Sequence, residues 1–209
     1  MSDLEKELLA VFDEKHQKVG ENTRAIVHQE GLWHETFHCW FVQKINGVPH
    51  LYFQLRSNLK KDFPGLFDIT AAGHLLAHEK VKDGIREVKE ELGVDLGMED
   101  LKSIGILKDS IVQKDFIDNE FAHTYVYIIG RGSSSFRLEE EEVSAIYSAP
   151  IADVISLFKR EVDHIAMHCI HSNSITHSSL NVKPGDFVPH SQEYMEKVLK
   201  SLNRIGGMI

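Results

Sequence analysis

Residues 86–94 read Arg86-Glu87-Val88-Lys89-Glu90-Glu91-Leu92-Gly93-Val94 and hold the most specific pattern in the chain. Val81, Ile85, Val88 and Leu92 fall at spacings of four, three and four. That period puts them on one face of a helix, predicted over Lys80 to Leu92. Gly93 then stands where a helix-ending glycine belongs, since glycine enters the left-handed conformation without a Cβ penalty. Glu87, Glu90 and Glu91 stand at i, i+3 and i+4, so their carboxylates share the other face. Three carboxylates repel one another unless a cation lies among them, and hard divalent ions such as Mg²⁺ take oxygen ligands of this kind. Arg86 supplies a planar fork that can hold one of the glutamates. E-x-x-E-E alone is usually a solvated acidic helix face. The longer pattern, R-E-apolar-x-E-E-x-G-apolar, arises by chance about once in 10⁵ chains of this length at average residue usage.

Outward from the helix, Gly73 lies in the segment leading into it and Glu79 follows six residues later. Phe37 to Ile45 (FHCWFVQKI) is rich in aromatic and branched residues and reads as a strand. Asn46-Gly47 is a two-residue hairpin signal, with His50 to Leu55 as the returning strand. Lys60 to Gly65 is a loop punctuated by Pro64-Gly65, and Ile69 to Leu76 reads as extended. Leu8 to Phe12 is a short strand that turns back through DEKHQKVGE. Past the helix, strands are predicted at Ile104 to Val112 and Thr124 to Ile129, a loop at Ser133 to Ser135, and helices at Pro150 to Arg160 and Ser191 to Leu202. Strands and helices mix without a regular βαβ alternation. The expected architecture is a single α+β or layered α/β/α domain with elements added at both ends.

Composition limits the function classes. The 209 residues carry 32 Asp and Glu against 23 Lys and Arg, a formal charge of -9, with 42% hydrophobic residues. Such acidity argues against a protein that coats nucleic acid or an anionic membrane, but a bound cation can reverse the sign of a site locally. Two cysteines, Cys39 and Cys169, make a disulfide framework or a cysteine-based zinc site a poor expectation. No apolar run reaches the ~18 residues of a membrane span, and the start MSDLEKELLAVFDE lacks the basic and apolar segments of a signal peptide. A cytoplasmic protein is expected.

Gly73, Glu79, Arg86, Glu87, Val88, Glu90, Glu91, Gly93 and Val94 together resemble the Nudix box, G-x5-E-x7-R-E-U-x-E-E-x-G-U with U a bulky aliphatic. One departure is that six residues, not seven, separate Glu79 from Arg86. It falls in the loop entering the helix and puts the role of Glu79 in question. His78 also stands where that family often has glycine. The resemblance implies an α/β (α+β) Nudix sandwich, α/β/α around a mixed β-sheet, as a single domain over 1–209. Its core would span about 35–165, with an N-terminal extension 1–34 and a C-terminal helical extension 166–209 packed on it. The strand pair at Asn46-Gly47, the Phe63-Pro64-Gly65 loop and the acidic run Glu139 to Val143 before a helix fit such domains.

By the same resemblance, Glu87, Glu90 and Glu91 bind Mg²⁺ or Mn²⁺, with the Gly73 carbonyl as a further ligand and Arg86 beside them. A distal acid from a later loop often completes the site. Glu120 in F-I-D-N-E-F is the candidate for that ligand or for the base, and Asp118 its substitute, against the plain reading of a turn acid at a strand edge. Arg56 and Lys60 or Lys61 are placed to meet substrate phosphates. Trp33, Trp40 or Phe63 could pack on a base or an apolar tail, with ordinary packing the simpler expectation.

A narrower resemblance concerns His28, His34 and His74, in R-A-I-V-H, L-W-H-E-T-F-H-C-W and A-A-G-H-L. These contexts are similar to the type I isopentenyl-diphosphate isomerases, which share the fold and use three such histidines and two late glutamates around a metal. Asp118 and Glu120 match that pair in spacing. His74 is thereby a candidate metal ligand, and His28 and His34 candidate substrate contacts. Yet thirteen histidines are present, and most should be surface or hydrogen-bonded residues. His164, His168, His171 and His177 invite a second metal reading, His164 and His168 being i, i+4 on a possible helix.

The isomerases carry a catalytic cysteine just before the position of Gly73, and this chain has Ala72 there. An alanine methyl transfers no proton, and Cys39 reads as a core thiol. Hydrolysis of a diphosphate linkage in a small organic or nucleoside-diphosphate substrate is the favoured expectation. An isomerase is the alternative, and a non-catalytic Nudix ligand-binding domain, which usually has a damaged box, the second. Many members of the family are homodimers, and nothing in the residues decides that state here.

Overall fold

A computed structural model describes residues 4–114, 116–130, 135–173 and 178–207. Among them the elements run β1 (Leu8–Phe12), β2 (Lys18–Thr23), α1 (Arg24–Glu30), β3 (Trp33–Ile45), β4 (Val48–Arg56), β5 (Phe67–Ile69), β6 (Ala71–His74), α2 (Arg86–Leu92), β7 (Leu101–Gln113), β8 (Phe116–Ile129), β9 (Val143–Pro150), α3 (Ile151–Phe158), β10 (Ile165–Ser172), β11 (Ser179–Val182) and α4 (Gln192–Gly206). All the strands belong to one mixed sheet organised about β3. β8 runs parallel to β3 from Trp33↔Asn119 to Gln43↔Ile129. The other edge of β3 is shared by β1, β6 and β4, all antiparallel to it.

Strand alternation gives β3 two different faces. Phe37, Cys39 and Phe41 pack with Val88 and Leu92 of α2 on one side. On the other, Trp40 and Val42 meet Ile151, Val154 and Leu157 of α3 and Tyr194, Met195, Val198, Leu199 and Leu202 of α4. Full burial of such a side chain stabilises by roughly 1.5–3 kcal/mol. The result is the expected mixed sheet with helices on both faces.

The hairpin at Asn46-Gly47 forms as read, with φ of 49° and 85° at the two residues. Gly93 ends α2 at φ 67°. Several expectations need correction. The helix expected over Lys80 to Leu92 is α-helical only from Arg86, and Val81–Ile85 is a 3₁₀ turn. Gly84 disfavours the α form there, and the Asp83 carboxylate accepts from Lys80 N–H at 2.9 Å to hold the tighter turn. Phe116–Ile129 is one long strand, so Asp118 and Glu120 lie inside β8 rather than in a loop before Thr124. Pairing on both sides, with β3 and β7, outweighs the poor strand propensity of Asp-Asn-Glu.

The acidic run at Glu139 to Val143 leads into strand β9, which precedes α3. The C-terminal extension is helical only from Gln192; before that, β10 and β11 form a hairpin that joins the sheet through β9. His168 and His171 therefore sit on strand β10 and His164 precedes it, so no helix brings His164 and His168 together. His177 and most of the Ser133 to Ser135 loop lie outside the described residues. No helix among the described residues is long and apolar enough to cross a membrane.

Candidate active site

The glutamates of α2 face β6 and the end of β4. Glu91 is buried, and its Oε2 accepts from the Ala72 backbone N–H and the Gln54 amide, both at 3.2 Å. Glu87 stands against Gly73 so closely that a Cβ there would lie 2.1 Å from the carboxylate carbon. Any side chain here would displace that carboxylate. Glu90 is the outermost of the three, with its side chain 59% exposed.

Arg86 ties the group together. Its guanidinium meets Glu87 Oε1 at 2.7 Å, Glu90 Oε2 at 3.0 Å and the His74 carbonyl at 3.2 Å. Glu79 accepts from the same fork with both oxygens, at 2.7 and 3.2 Å, and from Leu76 N–H at 2.8 Å. The one-residue shortening before Arg86 thus leaves Glu79 as an orienting partner of that arginine.

Burial raises the protonation of Glu87 and Glu91. Glu87 is pushed up to about 7 by desolvation, with Arg86 opposing and Glu90 and Glu142 adding to the rise. Glu91 is pushed well above the usual carboxylate range by burial and then by the charge of Glu87. A divalent cation bound between these two carboxylates would displace their protons and restore the charged forms.

These residues open onto a cavity of about 260 Å³. Its wall includes Gly73, Glu87, Glu90 and Glu91, and across from them Asp118 and Glu120. Arg56 and Lys60 also line it. Arg56 is bound to Asp68 at 2.8 Å and to the Asp62 carbonyl, while Lys60 pairs with Glu142. Lys61 turns away to Glu5. Phe63 reaches the cavity, whereas Trp40 is buried in the core with its indole N–H donated to Tyr194, and Trp33 packs on Phe121 and Lys108.

His28, His34, His74 and Asp118 gather beside the cavity, their ligand atoms all within 4.8 Å of one another. His28 Nε2 lies 3.1 Å from His74 Nε2, and Asp118 Oδ1 lies 3.4 Å from His28 and 3.3 Å from His34. The Nδ1 of His34 donates to the Leu32 carbonyl at 3.0 Å, which aims Nε2 at the cluster. His34 Nε2 and Asp118 Oδ1 are buried with no well-aligned hydrogen bond beyond their 3.3 Å approach to each other, a donor set that could hold a metal ion. Burial would raise Asp118, but His28 and His34 outweigh it and hold the carboxyl well below its usual range. Burial, reinforced by Arg24, keeps His74 low and therefore neutral. Of the two late acids, Asp118 joins the histidines. Glu120 instead places Oε2 3.3 Å from His38 Nε2.

No family model matches the sequence. An uncharacterized Nudix hydrolase of Clostridium acetobutylicum, however, is 35% identical over 202 residues, 95% of this chain and 98% of that one. The chain belongs to the Nudix hydrolase family. Nudix hydrolase 3 of Arabidopsis thaliana is 34% identical over 154 residues, which are 69% of this chain but 20% of the plant protein. Isopentenyl-diphosphate Delta-isomerases are weaker matches, that of Serratia proteamaculans being 29% identical over 121 residues, 57% of this chain and 65% of that one. A Deinococcus radiodurans crystal structure shares the fold with a TM-score of 0.54 at 16% identity, over 74% of this chain and 88% of that chain. The protein is accordingly an enzyme of the Nudix pyrophosphohydrolase class.

Within this Nudix fold, Ala72 lines the cavity at the position where the isomerases carry cysteine, opposite His38 in the β3–β6 register. Cys39 is fully buried on the α2 face, and burial pushes its thiol up, so it offers no proton to the cavity. The sequence reading missed a second buried network. His190, just before α4, lies 2.6 Å from Asp109 and 2.8 Å from Asp68, and reaches the cavity wall. Tyr194 hydroxyl lies 2.8 Å from His38 Nδ1 and links α4 to Glu120 through that imidazole. These residues are far apart in sequence, with Asp68 on β5, Asp109 on β7, His190 before α4 and Tyr194 on it, so no local pattern groups them.

Proposed function

We propose that this enzyme is a divalent-metal-dependent hydrolase that cleaves the diphosphate linkage of a small organic or nucleoside-diphosphate substrate, with Mg²⁺ or Mn²⁺ held by Glu87, Glu91 and the Gly73 carbonyl. The observation that carries the reading is half-buried Glu87, pressed against Gly73, beside buried Glu91, both with raised protonation and both lining the cavity. When bound, such an ion neutralises the diphosphate and lowers the pKa of the attacking water. The chain's own residues do the remaining work. Glu79 fixes Arg86, and Arg86 orients Glu87 and Glu90. Gln54 and the Ala72 N–H fix Glu91. Arg56 and Lys60, already oriented by Asp68 and Glu142, turn cationic groups toward the cavity where phosphates would lie. Glu120, backed by His38, is the candidate to accept the proton of the water.

The test is Mg²⁺- or Mn²⁺-dependent phosphate release from a panel of diphosphate derivatives, with Glu91→Gln as the control. A second reading has a specific observation in its favour: the His28, His34, His74 and Asp118 set fits an ion and matches the isomerase-like contexts in the sequence. Ala72 weighs against proton transfer of the isomerase kind. Conversion of isopentenyl to dimethylallyl diphosphate by the purified protein would establish that reading in place of hydrolysis.

A further inference from the structure

The strand that carries His34 into the active site carries Glu35 to the opposite face. There the Glu35 carboxylate meets two imidazoles, His16 Nε2 at 2.7 Å and His123 Nε2 at 2.8 Å, both on the same oxygen Oε1. The three ligand atoms lie within 4.8 Å of one another, and none of the three residues lines the catalytic cavity. We propose that His16, Glu35 and His123 form a separate binding site for a borderline divalent ion of the Zn²⁺ type, which fastens the β1–β2 hairpin to the central strands β3 and β8.

Three observations carry this. First, the donor set is two imidazoles and one carboxylate, which suits Zn²⁺ or Co²⁺ and not Mg²⁺, whose sites are built from oxygen. Second, His16 is pre-positioned. It sits at the tip of the β1–β2 turn with φ 63°, a left-handed conformation that non-glycine residues rarely hold. Asp13 secures the turn through its carboxylate, which accepts from Lys15 and Gln17 N–H at 2.9 and 2.8 Å, and through its carbonyl, which accepts from His16 N–H at 2.9 Å. The imidazole stacks on Phe121 with centroids 4.2 Å apart, which aims Nε2 inward. Third, the site is reachable: the His16 side chain is 26% exposed and that of Glu35 20%. Three protein ligands leave a coordination position for water on the solvent side. The ion would take the Nε2 lone pairs in place of the two hydrogen bonds to Oε1, each neutral imidazole then carrying its proton on Nδ1.

The test is equilibrium dialysis of the full chain against Zn²⁺ with metal counting, together with the thermal shift on adding Zn²⁺. The histidine cluster beside the cavity can also take Zn²⁺, so the result is read as a difference. His16→Asn keeps a residue that tolerates the left-handed turn. It should lose one bound Zn²⁺ per chain and most of the hairpin's protection from limited proteolysis by Zn²⁺, while His74→Asn loses a different ion and the double variant loses both. His123→Gln, on the strand rather than the turn, should repeat the loss. If either variant, folded by circular dichroism, binds as much Zn²⁺ as the wild type with the same thermal shift, the histidines are plain hydrogen-bond donors to Glu35 and the site does not exist.

Discussion

Replacing His190 with glutamine should separate a structural electrostatic clamp from the catalytic chemistry next to it. His190 stands between two buried acids, 2.6 Å from Asp109 and 2.8 Å from Asp68, with its side chain 9% exposed. Burial alone would lower its pKa, but the hydrogen bonds to Asp109 and Asp68 outweigh that and push it up to about 10. Its ordinary value is 6.5. Because the folded value is the higher one, the clamp's contribution is fully present below pH 6.5 and is lost as pH rises toward 10. At 1.36 kcal/mol per unit the shift bounds that contribution at about 5 kcal/mol. Removing one partner of a buried charge network costs about 3–5 kcal/mol, so the two routes agree. Asp68 and Asp109 are both depressed, which adds a second loss as pH falls below the ordinary carboxylate range near 3.8. The assay is urea unfolding of wild type and His190→Gln at pH 6, 8 and 10. The stability gap should be about 3–5 kcal/mol at pH 6 and should shrink steadily toward pH 10. A gap that is small at pH 6, or that does not change with pH, would refute the reasoning.

Other expectations follow from the same geometry. Glu91→Gln should abolish metal-dependent hydrolysis yet raise the metal-free unfolding free energy by about 1–2 kcal/mol, because a buried carboxylate beside Glu87 is replaced by a neutral amide; chemical denaturation in EDTA reads this. Gly73→Ala should cut activity at least tenfold with little change in secondary structure by circular dichroism, since the new methyl displaces the Glu87 carboxylate. Arg86→Lys should keep the charge but lose the fork shared by Glu79, Glu87 and Glu90, lowering metal affinity by roughly 10–100-fold in a Mn²⁺ titration.

The legible part of this protein is the part written in local patterns. The face of α2 followed from the spacing of Ile85, Val88 and Leu92, its end from Gly93, and the hairpin from Asn46-Gly47, because each depends on residues a few positions apart. Glu87, Glu90 and Glu91 were legible for the same reason. The parallel pairing of β3 with β8 was not, since it joins residues more than eighty positions apart and leaves no local signature. That pairing decides the fate of Asp118 and Glu120: on a strand rather than in a loop, with Asp118 turned to the histidines and Glu120 to His38. His164 and His168 matched a helical spacing, but alternating burial at Ile165 and Met167 is the strand signal that governs there. His190 reaches the cavity and Tyr194 reaches His38 only because α4 packs on β3, a contact that hydrophobic periodicity announces for the helix but not for its polar residues.

The most direct measurement of the central claim is phosphate release from a panel of diphosphate derivatives, with and without Mg²⁺ or Mn²⁺, by the wild-type enzyme and Glu91→Gln. At least one compound should be hydrolysed only when the metal is present, and Glu91→Gln should reduce this rate by about two orders of magnitude or more. Hydrolysis that persists in EDTA, or that survives Glu91→Gln unchanged, would contradict that claim.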